Sequence, residues 1–251
     1  MLLGAVTYNV LNNMDLATVI RTLETAAFDA VELRTGHKHG VEPTLSDAER
    51  SKVKDRFEHS KVRLLSFGTT CEFQSADAAE RKKQIALAKD FVGLAHDTGA
   101  LGVKVRPNGL AKGVPKETTI QNIAAGLREV GEHGYLHGVE IWLEVHGGET
   151  QVPGVAAEIM RATNHSNVGL CWNSNPTDVV NGSVKASFDL LRPWLKSCHI
   201  TELTSSYPYK ELFGLMKKSG YDRWTLCEAA ESKEPERFLK YYRALWRELM
   251  A

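Results

Sequence analysis

Eight times in succession, a short apolar, β-favouring run is followed by a longer amphipathic stretch. The strand-like runs are Leu3–Tyr8, Ala30–Leu33, Val62–Phe67, Leu101–Val105, Val139–Val145, Val168–Trp172, Ser197–Ile200 and Trp224–Cys227. The helix-like stretches are Leu16–Ala27, Asp47–His59, Ala78–Thr98, Thr118–His133, Val155–Thr163, Lys185–Leu191, Tyr209–Ser219 and Pro235–Met250. Ser75 and Asp77 are N-cap candidates for the third helix, with Glu80 close behind. The fourth helix is expected to end near Gly134 and Gly138. Strict strand–helix alternation implies parallel strands joined by right-handed crossovers. At about 31 residues per unit, 251 residues fit an α/β fold with a single (β/α)8 TIM barrel, one domain over residues 1–251. The competing doubly wound sheet normally has a glycine-rich phosphate turn after its first strand. The segment YNVLNN has none, and no P-loop motif occurs.

Composition narrows the function classes. Hydrophobic residues make up 43% and charged residues 25%, which excludes a disordered or collagen-like chain. Lys+Arg and Asp+Glu both number 31, so the formal charge is zero and the basic excess of a nucleic-acid binder is missing. No apolar run approaches a membrane span. The N-terminal MLLGAVTYNVL has no basic n-region and is read as a strand rather than a leader. Cys71, Cys171, Cys198 and Cys227 form no C-x-x-C pair. Buried free thiols in a reducing, cytoplasmic setting are expected.

A (β/α)8 barrel carries its chemistry at the C-terminal ends of its strands, and residues two apart share a face. The expected strand-end side chains are Glu32 and Arg34 from the second strand, Lys104 and Arg106 from the fourth, and Glu144 and His146 from the fifth. Asn173 and Asn175 follow from the sixth, His199 from the seventh and Glu228 from the eighth. A single strand-end glutamate is usually a solvated or paired surface group. A single histidine is more often a satisfied core residue than a ligand. Together they form a different pattern, because unpaired charges in a barrel interior cost several kcal/mol. Two carboxylates, one imidazole and one amide oxygen (Glu144, Glu228, His199 and Asn173) suit a divalent cation, Mn²⁺, Mg²⁺, Co²⁺ or Zn²⁺. His37 and His39, in RTGHKHG, are candidates to close over a substrate, and Trp172 to wall it.

The segments FDAVELR, WLEVHGGE, VGLCWNSNPTD, SCHITEL and SGYDRWTLCEAAES, with the tail EPERFLKYYRALWREL, resemble the xylose isomerase-like TIM-barrel superfamily over essentially the whole chain. That superfamily includes sugar phosphate isomerases/epimerases, hydroxypyruvate isomerase, inosose dehydratase and endonuclease IV. The resemblance implies a metal held at Glu144, Asn173, His199 and Glu228, with the two glutamates as the acid/base pair. It departs at Asn173, where many members have Asp, leaving two ligand charges instead of three and implying weaker metal binding. It departs again at HITE (residues 199–202), where many members read H-x-K-D.

The expected activity is isomerisation or epimerisation of a keto or aldose sugar through an enediolate. Glu32, His37, Lys104, Arg106, His146, Trp172 and Asn175 would contact the substrate. The same residues would serve a lyase or dehydratase on a keto sugar or keto-glycoside. The rivals are a non-catalytic sugar-binding relative, a metal-free glycosidase using Glu144 and Glu228, and an endonuclease IV-like repair enzyme. The neutral charge, and the placement of His59, His96, His133, His137 and His165 in helices or helix-end loops, weigh against the last. The expected partner is a small carbohydrate, with neither nucleic acid nor membrane; a homo-oligomer is compatible with the sequence.

Overall fold

Strands β1 (Leu2–Val6), β2 (Ala30–Arg34), β3 (Arg63–Gly68), β4 (Gly102–Val105), β5 (Glu140–Glu144), β6 (Val168–Asn173), β7 (Leu195–Ile200) and β8 (Trp224–Cys227) pair in chain order. All pairs are parallel, and β1 also pairs with β8, so the sheet closes into a barrel. This computed structural model describes residues Met1–Ala251. Helices α1 (Leu16–Thr25), α2 (Asp47–Glu58), α3 (Ala78–Thr98), α4 (Lys116–Leu136), α5 (Pro153–Thr163), α6 (Lys185–Leu191), α7 (Tyr209–Lys218) and α8 (Pro235–Met250) form the outer ring. The expected (β/α)8 barrel is therefore the observed fold. No helix is long and apolar enough to cross a membrane.

Local chemistry sets the helix starts. The Asp15 carboxylate accepts from Thr18 N at 2.8 Å ahead of α1. Ser46 and Glu49 form a capping box on α2. Asp77, not Ser75, caps α3, accepting from Ala79 N at 2.8 Å. The expected end of α4 at His133 is corrected, because the helix runs on to Leu136. A side chain on Gly134 would lie 2.4 Å from Val139 O, so that glycine serves close packing inside the helix. The left-handed glycine that turns the chain into β5 is Gly138, at φ 67°.

The barrel interior is layered. At its N-terminal end Glu140 meets Arg223 and Lys196, and Arg223 lies over the Trp142 ring. Above lies a small apolar plug of Val6, Ala30, Leu65, Trp142, Cys171 and Leu226. The larger apolar core lies between barrel and helices. The top layer of the interior is polar, and two register shifts shape it. In β2–β3, Val31 pairs with Leu64 but Glu32 pairs with Ser66. In β6–β7, Leu170 pairs with Leu195 but Cys171 pairs with Ser197, which sets Asn173 opposite His199. Such irregularities re-aim side chains at functional ends of sheets. The four cysteines are buried free thiols, as expected.

Candidate active site

A cavity of about 430 Å³ opens at the C-terminal end of the barrel, and only two of its fifteen lining residues are hydrophobic. Glu32, Lys104, Arg106, Glu144, His146, Asn173, Asn175 and Glu228 all line it, so the two-residue strand periodicity brings most of the expected side chains together. His199 is fully buried directly beneath.

His199 organises the floor. Its Nδ1 lies 3.3 Å from Glu144 Oε1 and 3.5 Å from Glu228 Oε2, and its Nε2 lies 3.2 Å from Glu32 Oε1. None of these contacts has the alignment of a hydrogen bond, so both ring nitrogens and Glu32 Oε1 are buried without a partner. Burial opposes charge on His199, but Cys171, Glu228 and Glu32 outweigh it and hold the imidazole well above the ordinary histidine range. The other oxygen of Glu32 accepts from Ser66 Oγ at 2.8 Å. Gly68 makes room for this carboxylate, because a Cβ there would sit 2.6 Å from Glu32 Oε1. Burial pushes the Glu32 pKa up, yet His199, Lys104 and Ser66 hold it below the usual carboxylate range.

Above the floor, Lys104 Nζ donates to Glu144 Oε2 at 2.7 Å, with both side chains buried. Against the cost of burial, this ammonium and His199 hold Glu144 well below the carboxylate range. Arg106 pairs with Glu72 at 3.0 Å. Glu228 is the least enclosed carboxylate of the group, with a side chain 19% exposed and only the His199 contact. Asn175 donates to Val145 O at 2.6 Å, tying the loop after β6 to β5. The His146 ring is half-buried at the cavity wall, with Nδ1 unpartnered.

Four expectations are revised. Trp172 does not wall the cavity: it is buried on the opposite face of β6, packs near Phe188 and donates from Nε1 to Tyr207 Oη at 3.1 Å. His37 lies outside the cavity lining, behind Tyr8, with Nδ1 2.9 Å from Thr7 Oγ1. Burial and the Arg34 charge depress its pKa to about 4, so its ring is neutral. His39 braces the loop after β2, accepting from Val41 N at 3.0 Å and facing Arg34 O at 2.9 Å. Glu32 forms part of the floor, but its oxygens face Ser66 and His199 rather than open space. Tyr8, Gln151, Ser174 and Thr201 also line the cavity and were missed. Tyr8 and Thr201 lie two residues beyond Val6 and His199, so the same periodicity would have found them. Gln151 sits in a 3₁₀ turn that no pattern announced.

The residues fit a divalent metal. One ligand atom each from Glu144, His199 and Glu228 lie within 4.8 Å of one another. An imidazole nitrogen with no hydrogen-bond partner, flanked by two carboxylates, marks a place a cation would occupy. Asn173 reaches the same volume, but its Nδ2 is turned to Glu144 Oε1 at 3.4 Å. In this arrangement it supports a ligand, and ligation would require the amide to turn over.

Comparison with known proteins bears on the fold and the family. No curated protein matches the sequence. Among solved structures, D-psicose 3-epimerase with D-tagatose from Clostridium cellulolyticum H10 superposes with a TM-score of 0.85 at 15% identity, covering 100% of this chain and 99% of that one. The IOLI protein with a bound zinc atom gives 0.81 at 17%, covering 99% and 96%. The probable 3-DHS dehydratase AsbF from Bacillus anthracis gives 0.78 at 13%, covering 100% and 99%. At these identities the likeness speaks for the fold. The sequence profile of the xylose isomerase-like TIM barrel matches residues 20–175, and the chain belongs to that family.

Proposed function

We propose that this protein is a metal-dependent isomerase or epimerase of a keto sugar, in which Glu144, His199 and Glu228, with Asn173 beside them, hold the ion. The observation that carries the reading is the unpartnered His199 Nδ1 between two carboxylates on the floor of a polar cavity. The bound ion, Mn²⁺, Mg²⁺, Co²⁺ or Zn²⁺, supplies Lewis-acid polarisation of the substrate carbonyl.

The protein's own groups divide the remaining work. Glu228, partly open to the cavity and paired with no lysine or arginine, takes the proton from the carbon beside the carbonyl. Glu144 is the second carboxylate of the pair, and its bond to Lys104 fixes its orientation. The His146 ring lines the cavity beside them and is the expected contact for a substrate hydroxyl. Arg106 and Asn175 fix the wall, one on Glu72 and the other on Val145.

Elimination is the second reading, because proton removal at the same carbon also precedes loss of a β-leaving group. The likeness to a dehydratase supports keeping it. A metal-loaded sample incubated in D₂O with D-fructose and other keto sugars, their acids and their phosphates included, tests the proposal. Deuterium appearing beside the carbonyl, with an epimer accumulating, is the expected result. An unsaturated product would favour the lyase reading. No exchange with any of the four metals would contradict both. The buried free thiols fit a reducing, cytoplasmic setting.

A further inference from the structure

The cavity is lined by three cationic side chains, and they differ in one respect. Lys104 is neutralised by Glu144 at 2.7 Å and Arg106 by Glu72 at 3.0 Å. Arg34 makes no ion pair. Its Nη1 donates to Thr35 O at 2.9 Å, and its guanidinium lies over the Tyr8 ring, 5.5 Å from the centroid. The acidic residue of its loop, Glu42, is spent on Thr35 Oγ1 and Gly36 N. The Arg34 charge is felt locally, since it helps depress the neighbouring His37 to about 4. The backbone beneath is tied down too, Arg34 N donating to Thr7 Oγ1 at 2.9 Å.

A guanidinium held by a carbonyl and an aromatic face is pre-organised, and its Nη2 and Nε hydrogens remain free for a planar or tetrahedral anion. An arginine in a walled site that is left without a counter-charge is matched by its ligand. Of the cavity carboxylates, Glu144 is spent on Lys104, while Glu32 and Glu228 face His199. A divalent ion there balances those two, so Arg34 is the surplus charge.

The geometry points to a substrate with an anionic terminus, a carboxylate or phosphate monoester, held by Arg34 at the cavity rim while its carbonyl end lies over Glu144, His199 and Glu228. This rests on the sugar reading above and narrows its substrate to sugar acids or sugar phosphates.

Three matched probes test it by titration calorimetry on Mn²⁺-loaded protein: D-glucitol, D-gluconate and D-glucitol 6-phosphate. Each anionic probe differs from D-glucitol at one terminus only, D-gluconate at C1 and D-glucitol 6-phosphate at C6. At least one anionic probe is expected to bind ten-fold or more tighter than D-glucitol, and which one identifies the terminus. Arg34→Gln is expected to abolish that advantage and leave D-glucitol unchanged, with Arg34→Lys intermediate. Equal binding of all three probes would overturn the anionic terminus and leave the sugar reading intact. So would an anionic preference that Arg34→Gln does not touch, because the charge would then sit on the metal instead. Failure of the wild-type protein to bind any probe would overturn both.

Discussion

Lys104 Nζ lies 2.7 Å from Glu144 Oε2, and this bond leaves Oε1 as the oxygen that faces His199. The pair is buried, so its loss is asymmetric: removing Lys104 strands Glu144 Oε2 and leaves the carboxylate only the longer contacts to His199 and Asn173 at Oε1. Breaking one side of a buried pair costs about 3–5 kcal/mol. Lys104→Met should therefore lower the melting temperature of the metal-free protein clearly. Saturating Mn²⁺ should recover part of the loss, because the freed carboxylate then meets a cation. Calorimetric melting with and without Mn²⁺ checks this, and an unchanged metal-free melting point would contradict it.

Asn173 stands opposite His199 and beside Glu144. Replacing it with Asp adds a third carboxylate to the ligand group, and affinity for hard cations rises with ligand charge. Asn173→Asp is expected to tighten Mn²⁺ binding by about ten-fold or more. It should also destabilise the metal-free protein, where three carboxylates repel. Titration calorimetry and melting in chelator report the two effects separately.

Glu32 is the group behind His199, held from below by Ser66. A carboxylate on the far nitrogen of a ligating imidazole orients the ring and strengthens it as a donor. Loss of such a partner usually costs 10–100-fold in metal affinity. Glu32→Gln is expected to fall in that range and Ser66→Ala to cost less. An unaltered Mn²⁺ affinity in Glu32→Gln would show that packing alone places the ring.

Asp178 supplies the pH dependence. Its Oδ2 accepts from Tyr207 Oη and from Asn175 N, both at 2.8 Å, while its Oδ1 is buried without a partner. Burial outweighs the two hydrogen bonds and raises its pKa to about 7. Between the ordinary aspartate value of 3.8 and about 7, the folded protein holds a proton that the unfolded chain has released. Stability from this group is therefore greatest at low pH and declines as pH rises towards 7. Asp178→Asn keeps an oxygen for both donors and removes the charge. The variant is expected to melt higher than the wild-type protein at pH 8, with the advantage shrinking towards pH 4. A constant difference across that range would contradict the assignment.

The barrel was legible because eight apolar runs alternated with amphipathic stretches, a pattern with few solutions. The site was legible because side-chain parity in a strand is rigid: Glu144 and His146, or Glu32 and Arg34, had to share a face. Three features escaped. The shift between Leu170 and Cys171, which sets Asn173 against His199, depends on neighbouring-strand packing and leaves no local mark. The partners of charged groups were invisible, so Lys104 and Arg106 read like Arg34 until Glu144 and Glu72 were seen beside them. Trp172 was misassigned because it lies one residue before Asn173, and that single step turns it to the helices.

The central claim is that Glu144, His199 and Glu228 hold a divalent metal. Mass-spectrometric metal content of the purified protein, beside Glu228→Gln and His199→Ala, tests it most directly. The account predicts close to one equivalent of divalent metal in the wild-type protein, or one taken up from millimolar Mn²⁺, Mg²⁺, Co²⁺ or Zn²⁺. It also predicts marked loss in both variants with the fold intact by circular dichroism. A wild-type protein that takes up none of the four ions, or variants that bind as well as it does, would contradict the account.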